Sequence, residues 1–492
     1  MGVNCLIFSG NTESPFRLIS AGPYRIATQL RENGFTVQIV DSCKLKKFTK
    51  LHELILKKFV DKDTFWIGFS INFLYYIFDY KHFDSQTQID FYKKNNPNFD
   101  SELIKFIDFA KSINPKIQFV LGGSRLFSLD YLNFYQFRGY TDEQIVDFTK
   151  NLSKDILPSN KIIYNREYKD FHCSRITYLK NDVLNYKTLA AEISRGCIFK
   201  CKFCSFPLNG KTKGDWVKNY DILKEEFIYN YENFGITNYT FTDDTYNDSC
   251  EKIEDLYEKV YSKLPFKISF SAYMRLDLIH RFPHTAELLK ESGITAILFG
   301  IETLNKNAAK LIGKGLDPYK QIDFLQKLKL NEFKNVVLGS GWILGLPTDT
   351  KESLINFSKW VISNDNPLND NLFSHFGVMP PEITQFKLYR SEFDLTWKNY
   401  DMEFELKNDG HFAWKYKNED LDSDWCRDLS QKLHSVTYKK DVYGAFYYNG
   451  LINLGFSHDE IAKNTKSFFH TPKVQKVIEN SNKTYFQTLL SL

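Results

Sequence analysis

Short apolar runs alternate with helical stretches along most of this chain, and this alternation restricts the fold more than any other feature of the sequence. In the second half of the chain, predicted strands begin at residues 238, 267 and 296, which places successive strand starts 29 residues apart. Such a spacing is close to one strand–helix unit with its loops. The alternation therefore predicts an α/β protein built from βαβ units.

Two series of such units follow one another. Residues 1–152 contain strand candidates in the segments VNCLIFSG, FTVQIVD, FWIGFSINF and KIQFVLGG, and predict a Rossmann-like, doubly wound parallel sheet. Residues 188–380 contain strand candidates in TLAAEIS, NYTFTDD, KISFSAYM, AILFGIE and VVLGSGWILG, and predict a full or partial (β/α) barrel. Ligands of such barrels bind at the C-terminal ends of the strands, so candidate site residues are sought there.

Two further segments depart from this pattern. Residues 153–187 are polar, contain Pro158 and have few periodic apolar positions, which predicts a linker across the surface. Residues 381–492 are rich in aromatic side chains and predict a C-terminal helical extension. With 492 residues, 43% of them apolar, the chain is too long for one ordinary domain and too apolar to be disordered, so two or three packed domains are expected.

Charge and hydropathy exclude several classes of partner. Lys and Arg total 64 against 60 acidic residues, a net charge of +4 that is too small to indicate a nucleic-acid binder. The N-terminal sequence has no basic region ahead of an apolar core, so no signal peptide is predicted. The most apolar stretch, residues 65–78, is interrupted by Gly68, Ser70 and Asn72 and is shorter than the roughly 20 residues that cross a bilayer. A cytoplasmic protein without a membrane or nucleic-acid partner is expected.

Three of the eight cysteines lie within eight residues of one another. In EISRGCIFKCKFCSFP, Cys197, Cys201 and Cys204 form a C-x3-C-x2-C array directly after a predicted strand. Thiolates are ligands for iron–sulfur clusters and zinc, but structural zinc usually takes two separated pairs of ligands, and the sequence has no second C-x2-C pair. Three thiolates leave one iron of a [4Fe–4S] cluster open for catalysis. The alternatives are a zinc site completed by His172 or Cys173, or fortuitously clustered structural thiols.

With Phe203 directly before its last cysteine, this motif on the first strand-end loop of a βα barrel resembles that of the radical S-adenosylmethionine (radical SAM) superfamily. The resemblance implies that the three cysteines hold a [4Fe–4S] cluster, that Phe203 lies beside the cofactor, and that the open iron is chelated by the methionine moiety of S-adenosylmethionine. One electron from the cluster then cleaves the sulfonium to give a 5′-deoxyadenosyl radical. The resemblance also implies a small-molecule or peptide substrate and a flavodoxin-type or ferredoxin-type electron donor.

Further residues of the same resemblance follow the later strands. The strand ends in FTDDTY, SAYMRLD, LFGIETLN and GWILGLP supply Asp243, Asp244, Arg275, Glu302 and Gly345. The resemblance implies that the aspartates contact the methionine amino group, a pairing of carboxylate with ammonium. It implies that Arg275 and Glu302 lie at the methionine carboxylate or the ribose, and that the adenine packs against the segment at Gly345. Asp244 could instead cap the following helix.

The wording of these motifs is most similar to the subgroup whose N-terminal domain binds cobalamin. GPYRIATQLRENGFTVQIVD resembles the first helix and second strand of that domain, and Ser70, Gly122 and Gly123 lie at strand ends where a corrin or its tail could approach. The loop SGNTESPFRLISAG lacks the Asp-x-His-x-x-Gly motif that supplies an axial histidine, which argues against that binding mode only. The glycines could equally finish their strands, so cobalamin binding stays open at this point.

The sequence therefore predicts a radical SAM enzyme, a transferase or isomerase that functionalises an unactivated C–H position of a substrate it does not identify. One branch is cobalamin-dependent methyl transfer. The other is a cobalamin-independent rearrangement, cyclisation or epimerisation. A non-catalytic metal-binding protein on the same fold is the alternative of another class. Cys173, Cys250 and Cys426 have no metal-ligand spacing and are interpreted as structural or incidental thiols, although Cys426 could donate a hydrogen atom.

Overall fold

Two six-stranded parallel sheets organise the chain. The structure is a computed structural model, and it describes residues 2–9, 16–45, 47–70, 76–77, 80–81, 90, 93–95, 101–123, 133–165, 171–383, 389–407, 411–417 and 420–492. Most of the loop after the first strand, and part of the apolar stretch 65–78, therefore lie outside the described residues.

The first sheet has the strand order β2–β1–β3–β6–β7–β8, with every neighbouring pair parallel. The strands of this half of the chain are β1 Cys5–Ser9, β2 Val37–Asp41, β3 Trp66–Ser70, the short antiparallel pair β4 Tyr76–Ile77 and β5 Tyr80–Lys81, β6 Gln118–Gly123, β7 Tyr135–Gly139 and β8 Ile162–Asn165. The strand order reverses between β1 and β3, and open α/β sheets bind ligands outside the C-terminal strand ends at such a switch point. Ser70 ends β3 and so lies at this crevice.

The second sheet follows chain order, β9 through β14, and again every neighbouring pair is parallel. Its strands are β9 Thr188–Ala191, β10 Asn238–Phe241, β11 Ser269–Met274, β12 Ile294–Glu302, β13 Val337–Leu344 and β14 Asp370–His375. Strands β9 and β14 form the two edges, so this half is a partial rather than a closed barrel. The predicted α/β architecture of a Rossmann-like sheet followed by a βα barrel is confirmed.

Helices connect the strands and form the C-terminal segment. The α-helices are Ala21–Glu32, Lys50–Phe59, Ser101–Ile113, Asp142–Leu152, Lys180–Val183, Tyr220–Phe234, Cys250–Lys259, Leu276–Arg281, His284–Glu291, Lys306–Leu311, Pro318–Leu330, Lys351–Ile362, Glu392–Thr396, Ser423–Thr437, Ala445–Asn453, His458–Lys463 and Pro472–Ser491. Short 3-10 helices span Phe171–Cys173, Tyr261–Lys263, Trp397–Tyr400 and Phe468–His470. Among the described residues, no helix is both long enough and apolar enough to cross a membrane.

Side-chain caps fix where the barrel helices begin. Asn219 and Ser249 accept hydrogen bonds from backbone N–H groups in the first turns of the helices that follow them. The helix Tyr220–Phe234 ends at Gly235, whose φ of 67° suits glycine. Asn219 and Ser249 end the loops that leave the C-terminal ends of β9 and β10, and these loops carry candidate site residues, whereas Gly235 lies at the opposite edge of the sheet, just before β10.

The C-terminal helix Ala445–Asn453 packs against the strands of the partial barrel. Asn449 on this helix donates hydrogen bonds to the Tyr239 carbonyl (3.2 Å) and the Ser271 hydroxyl (3.0 Å), which belong to β10 and β11. A second apolar cluster surrounds the same helix, next to the main core that runs through both sheets. The helix thus covers part of the partial barrel at β10 and β11.

Two regions differ from the sequence-based expectation. The segment expected to be a linker, residues 153–187, contributes β8 to the edge of the first sheet. Its four residues, Ile-Ile-Tyr-Asn, are half-exposed or exposed and too few to indicate a strand among the polar residues around them. The C-terminal region expected to be helical contains an antiparallel hairpin of β15 Met402–Leu406 and β16 Phe412–Tyr416. In β16 the aromatic residues Phe412, Trp414 and Tyr416 alternate along the strand, and aromatic side chains favour strands.

Four buried charged side chains join the first sheet and its helices to the second sheet. Asp142 accepts from the Arg25 Nε at 2.6 Å and from the Arg195 Nη1 at 3.0 Å, and Glu192 accepts from both arginines at 3.2 and 2.7 Å. Arg25 and Asp142 stand on helices of the N-terminal half, whereas Glu192 and Arg195 follow β9. We call these four residues the interdomain ion-pair ring. The alternation of charge allows each ion to be paired although all four are buried.

The last helix, Pro472–Ser491, returns to the first sheet. The hydroxyl of Tyr485 accepts a hydrogen bond from the backbone N–H of Asp41 at 3.0 Å. The Arg17 guanidinium donates to Ser481 at 2.8 Å and lies 4.6 Å from the ring centre of Tyr485. The C-terminal helix therefore packs against the N-terminal sheet.

The Asp41 carboxyl, at the end of β2, is expected to make stability depend on pH. Its carboxylate accepts from the Tyr24 hydroxyl, and burial raises its pKa from 3.8 to about 7. The folded protein therefore holds a proton there that the unfolded chain releases, so stability is lost as pH rises from about 4 to 7. Asp41→Asn is expected to remove this loss, on the order of 3 kcal/mol. Urea unfolding midpoints at pH 5 and pH 8 check this, and an equal pH dependence in wild type and variant would contradict it.

Candidate active site

One cavity of about 800 Å³ lies where the C-terminal ends of both sheets face each other. The second sheet contributes the loop with the three cysteines and residues that follow β10, β11 and β12. The first sheet contributes the ends of β3 and β6. The predicted site residues that line this cavity are Ser70, Gly122, Gly123, Cys197, Cys201, Phe203, Cys204, Asp243, Asp244, Arg275 and Glu302. Folding thus brings eleven of the twelve predicted residues to one place.

The cysteine loop owes its shape to Gly196. This residue has φ +73°, and a Cβ there would lie 2.5 Å from the Leu208 side chain. Because only glycine fits that close approach without strain, the chain turns sharply just before Cys197. The turn is closed by hydrogen bonds from the Gly210 N–H to the Cys197 carbonyl (2.7 Å) and from the Asn209 side chain to the Cys204 carbonyl (3.1 Å).

The three thiols are half-buried and suit a positively charged ligand. Burial raises the pKa of Cys197 and raises that of Cys204 to about 12, so these thiols lose their protons only when a cation binds them. The sulfur atoms of the three cysteines do not all lie within 4.8 Å of one another. Among the described residues, only one set of three metal-ligating side chains is that compact, and it lies elsewhere in the chain. A single tetrahedral zinc would bring the three sulfurs to about 3.8 Å from one another. The wider spacing suits a cluster in which each thiolate binds its own iron.

The alternative zinc ligands do not reach this loop. The His172 Nδ1 lies 3.1 Å from the Val217 carbonyl, and Cys173 is exposed. Neither residue is among those that line the cavity in the described part of the chain. Among the described residues, neither of them therefore supplies a fourth ligand to the three cysteines.

The two aspartates after β10 have different surroundings. Asp243 is fully buried and accepts from the backbone N–H groups of Ile193 (3.0 Å) and Ser194 (2.7 Å), while the Lys252 Nζ lies 3.4 Å away. It therefore ties the end of β10 to the end of β9. Asp244 is half-buried and accepts from the Gly196 N–H at 3.1 Å, so it borders the cysteine loop.

The alternative role of Asp244 as a helix cap is not what the structure has. The helix that follows, Cys250–Lys259, is capped by Ser249, whose hydroxyl accepts from the Lys252 N–H at 3.2 Å. Asp244 thus lines the cavity and does not cap this helix.

Arg275 is held in a fixed orientation beside the cysteine loop. Its guanidinium donates to both carboxylate oxygens of Asp277, at 3.0 and 2.6 Å, and lies 3.9 Å from the ring centre of Phe199. Its Nη1 lies 3.5 Å from the Cys201 Sγ. This is a bidentate and stacked arrangement that lysine could not reproduce. Sequence reasoning missed Asp277 and Phe199, although both lie within motifs that it quoted.

Glu302 occupies a strained backbone position at the end of β12. Its φ is 75°, in the left-handed region, and the register between β12 and β13 shifts just before it. The shift turns the carboxylate into the cavity, where burial raises its pKa and the Lys314 Nζ lies 3.6 Å away. Lys314 also donates to the Gly300 carbonyl at 2.6 Å. Strain kept at such a point is typical of functional sites. No spacing signal in the sequence indicated Lys314.

Gly345 does not line the cavity among the described residues. It has φ +91°, and a Cβ there would lie 2.7 Å from both the Cys426 Sγ and the Trp414 ring. The Tyr416 hydroxyl donates to its carbonyl at 2.9 Å. Gly345 thus allows the C-terminal hairpin and helix to pack closely, and Gly341 lines the cavity from the same strand. Cys426 is fully buried in this contact and is likewise not a lining residue.

The N-terminal side of the cavity is open and apolar. A Cβ on Gly122 would meet no atom within 4 Å, so the end of β6 faces free space. The apolar residues that line this side include Ile7, Leu18, Ile19, Ile26, Phe69, Val120 and Phe137. Glycine strand ends and an apolar wall can accommodate a large, flat cofactor face.

Comparisons with known proteins agree with this arrangement. Residues 191–361 match the family model of the radical SAM superfamily. An uncharacterized methyltransferase of Pyrococcus horikoshii is 33% identical over 171 residues, which are 34% of this chain and 35% of that protein. The hopanoid C-2 methylase of Rhodopseudomonas palustris is 25% identical over 238 residues, which are 46% of this chain and 42% of that protein. The similarity thus spans less than half of the length of either relative.

A solved structure extends the likeness to the whole fold. The radical SAM methyltransferase TsrM of Kitasatospora setae, with cobalamin and a [4Fe–4S] cluster bound, has a TM-score of 0.62 to this protein at 11% sequence identity. The alignment covers 98% of this chain and 100% of that one. At this identity the likeness concerns the fold alone, because one fold can host many functions. The match to the radical SAM superfamily therefore rests on the central segment of the chain, residues 191–361.

Proposed function

We propose that this protein is a cobalamin-dependent radical SAM methyltransferase that acts on an unactivated carbon of a small molecule. The observation that carries the proposal is the single cavity that joins the cysteine loop to the glycine-bearing ends of β3 and β6. A [4Fe–4S] cluster on the loop and a corrin at the first sheet would then face the same space. The methyltransferase relatives and the TsrM fold support the same reading.

The cluster and S-adenosylmethionine would occupy the half of the cavity formed by the second sheet. Cys197, Cys201 and Cys204 supply three thiolates, and the bound cluster supplies the electron that cleaves the sulfonium. The Asp244 carboxylate is placed to accept hydrogen bonds from the methionine ammonium, and Arg275 is placed to donate to its carboxylate. Glu302, beside Lys314, would accept from ribose hydroxyls. Asp243 positions this loop from behind, since its oxygens already bond the end of β9.

Cobalamin would lie across the N-terminal half of the cavity. Ser70, Gly122 and Gly123 end the strands beside the topological switch point, where doubly wound sheets bind cofactors. The apolar wall around them excludes water from the reaction space, which protects a reactive carbon radical from side reactions. Residues 1–152, together with the edge strand β8, would form the cobalamin-binding domain.

Anaerobic reconstitution tests the proposal directly. Protein reconstituted with iron and sulfide in the presence of hydroxocobalamin is expected to hold about four irons per chain. It is also expected to retain bound corrin after desalting, detected by its absorbance. With dithionite or a flavodoxin system, S-adenosylmethionine is expected to be consumed, with S-adenosylhomocysteine and 5′-deoxyadenosine detected by mass spectrometry. A full cluster without retained corrin would favour the cobalamin-independent rearrangement. Zinc in place of iron would support the non-catalytic metal-binding alternative.

Gly122→Leu is expected to separate corrin binding from cluster binding. The new side chain would project into free space in the cavity, so the variant should fold normally while filling part of the corrin position. Retained corrin should fall at least about tenfold, whereas iron content should equal that of wild type. Gly377→Leu is the matched control, since this glycine is exposed, outside the cavity lining, and also has open space around it. Equal corrin retention in both variants would argue against this position for cobalamin.

A further inference from the structure

A second group of metal-ligating side chains lies outside the cavity, between two helices of the outer layer. Cys250 and Glu254 stand one turn apart on the helix Cys250–Lys259, and His284 begins the neighbouring helix His284–Glu291. Among the described residues, this is the one set of three His, Cys, Asp or Glu ligand atoms within 4.8 Å of one another. None of the three lines the cavity, so this group is separate from the proposed radical site.

The distances within the group resemble the edges of a tetrahedral metal site. The Cys250 Sγ lies 3.3 Å from the Glu254 Oε1 and 3.5 Å from the His284 Nε2, and the latter two atoms are 2.8 Å apart. Zinc with usual bond lengths of about 2.3 Å to sulfur and 2.0–2.1 Å to nitrogen or oxygen requires edges of about 3.5, 3.5 and 3.3 Å. A movement of less than about 1 Å by the Glu254 carboxylate would therefore bring the three ligand atoms to the distances that zinc requires.

The backbone favours this arrangement. Residues four apart on a helix lie on the same face, so Cys250 and Glu254 point to the same side. Cys250 directly follows the capping residue Ser249 and so lies in the first turn of the helix, within reach of the neighbouring helix. The side chains of Glu254 and His284 are 41% and 55% exposed, so ions can reach them directly from solvent.

We propose that Cys250, Glu254 and His284 form a zinc-binding site that bridges the two outer helices. Zinc would replace the Cys250 S–H proton, which leaves to solvent, and would take the Nε2 lone pair of His284 and one oxygen of Glu254. Three protein ligands leave one position for water or for a ligand from a partner. A soft thiolate together with imidazole and carboxylate selects zinc over magnesium or calcium, which prefer oxygen ligands alone.

The zinc content of untagged, cluster-loaded protein tests this site without relying on enzyme activity. After equilibration with zinc and desalting, wild type is expected to hold about one zinc per chain in addition to its iron. Zinc X-ray absorption should show one sulfur neighbour at about 2.3 Å and nitrogen or oxygen neighbours near 2.0 Å. Cys250→Ser and His284→Ala should each lose the zinc but keep the iron. Zinc content equal to background in wild type, or unchanged in both variants, would overturn the proposal.

Two controls keep the result specific. Cys173→Ser removes an exposed thiol outside this group and should retain the zinc. Thermal unfolding without zinc should give the same midpoint for wild type and His284→Ala, and zinc should raise only the wild-type midpoint, because it binds the folded pair of helices. A zinc-dependent rise of the same size in both proteins would count against this site. Since iron content is measured in the same samples, failure of the zinc site is distinguishable from failure of the radical SAM proposal.

Discussion

Cys201→Ala is expected to abolish cluster assembly and, with it, the cleavage of S-adenosylmethionine. The cysteine loop offers three thiolates, so one iron of a [4Fe–4S] cluster there has no protein ligand. Loss of Cys201 would leave two irons without one, and the cluster is not expected to stay intact. The Cys201 Sγ also lies 3.5 Å from the Arg275 Nη1, so its loss removes this contact between the cysteine loop and Arg275, which stays paired with Asp277. Iron per chain, absorbance near 400 nm and the yield of 5′-deoxyadenosine should all fall, the last by more than about a thousandfold.

Cys173→Ala provides the matched comparison for this experiment. It removes an exposed thiol outside the cavity and should leave iron content and product yield as in wild type. If the Cys201 variant still held about four irons and cleaved its cofactor, the three-cysteine cluster assignment would be wrong. If both variants lost iron alike, general thiol loss rather than a specific ligand would be the cause.

Asp142→Ala is expected to be the most destabilising single substitution outside the apolar core. Burial alone would raise the pKa of this carboxyl, but the guanidinium groups of Arg195 and Arg25 hold it well below its usual range. Removing the carboxylate leaves two buried arginines with one carboxylate, Glu192, between them, which costs about 3–5 kcal/mol. Urea unfolding at pH 7 should show this loss as a lower midpoint.

The effect of Asp142 is also expected to depend on pH, in a direction opposite to that of Asp41. A carboxyl with a lowered folded-state pKa stabilises the protein above the unfolded pKa of about 3.9, and that contribution is lost as pH falls below it. Wild type and Asp142→Ala should therefore approach each other in stability in acid. Lys116→Ala is the control, since its 2.8 Å pair with Asp155 is largely exposed on both sides and its loss should cost less than about 1 kcal/mol. Equal losses in the two variants would contradict the role of the interdomain ion-pair ring.

The sequence was sufficient for the parts of the site that follow strands. Polar residues directly after apolar strands must gather at the C-terminal edge of a parallel sheet, and Asp244, Arg275 and Glu302 do so. The three cysteines could be placed together from the sequence because they lie in one short loop. These inferences worked because they depend on chain order and the pleat of the sheet, not on side-chain orientation.

Side-chain direction and long-range pairing were beyond such reasoning. Gly345 follows its strand as expected but faces the C-terminal hairpin, because the hairpin packs against that edge. Strands β7, β8 and β14 were missed because their segments, YQFRG, IIYN and DNLFSH, contain at most three consecutive apolar residues and show no clear apolar run. Cys250 and His284, 34 positions apart, meet only because their helices pack side by side, and no spacing rule covers such a pair.

The contact between the last helix and the first sheet bears on how the protein forms during translation. Asp41 and Tyr485 are 444 positions apart, so at about 5–20 residues per second the ribosome needs roughly 20–90 s to make the second after the first. Throughout that interval the emerging N-terminal sheet exposes the surface that the helix Pro472–Ser491 later covers. Slow synthesis would prolong this exposure, and chaperone engagement should therefore concentrate on the nascent N-terminal half.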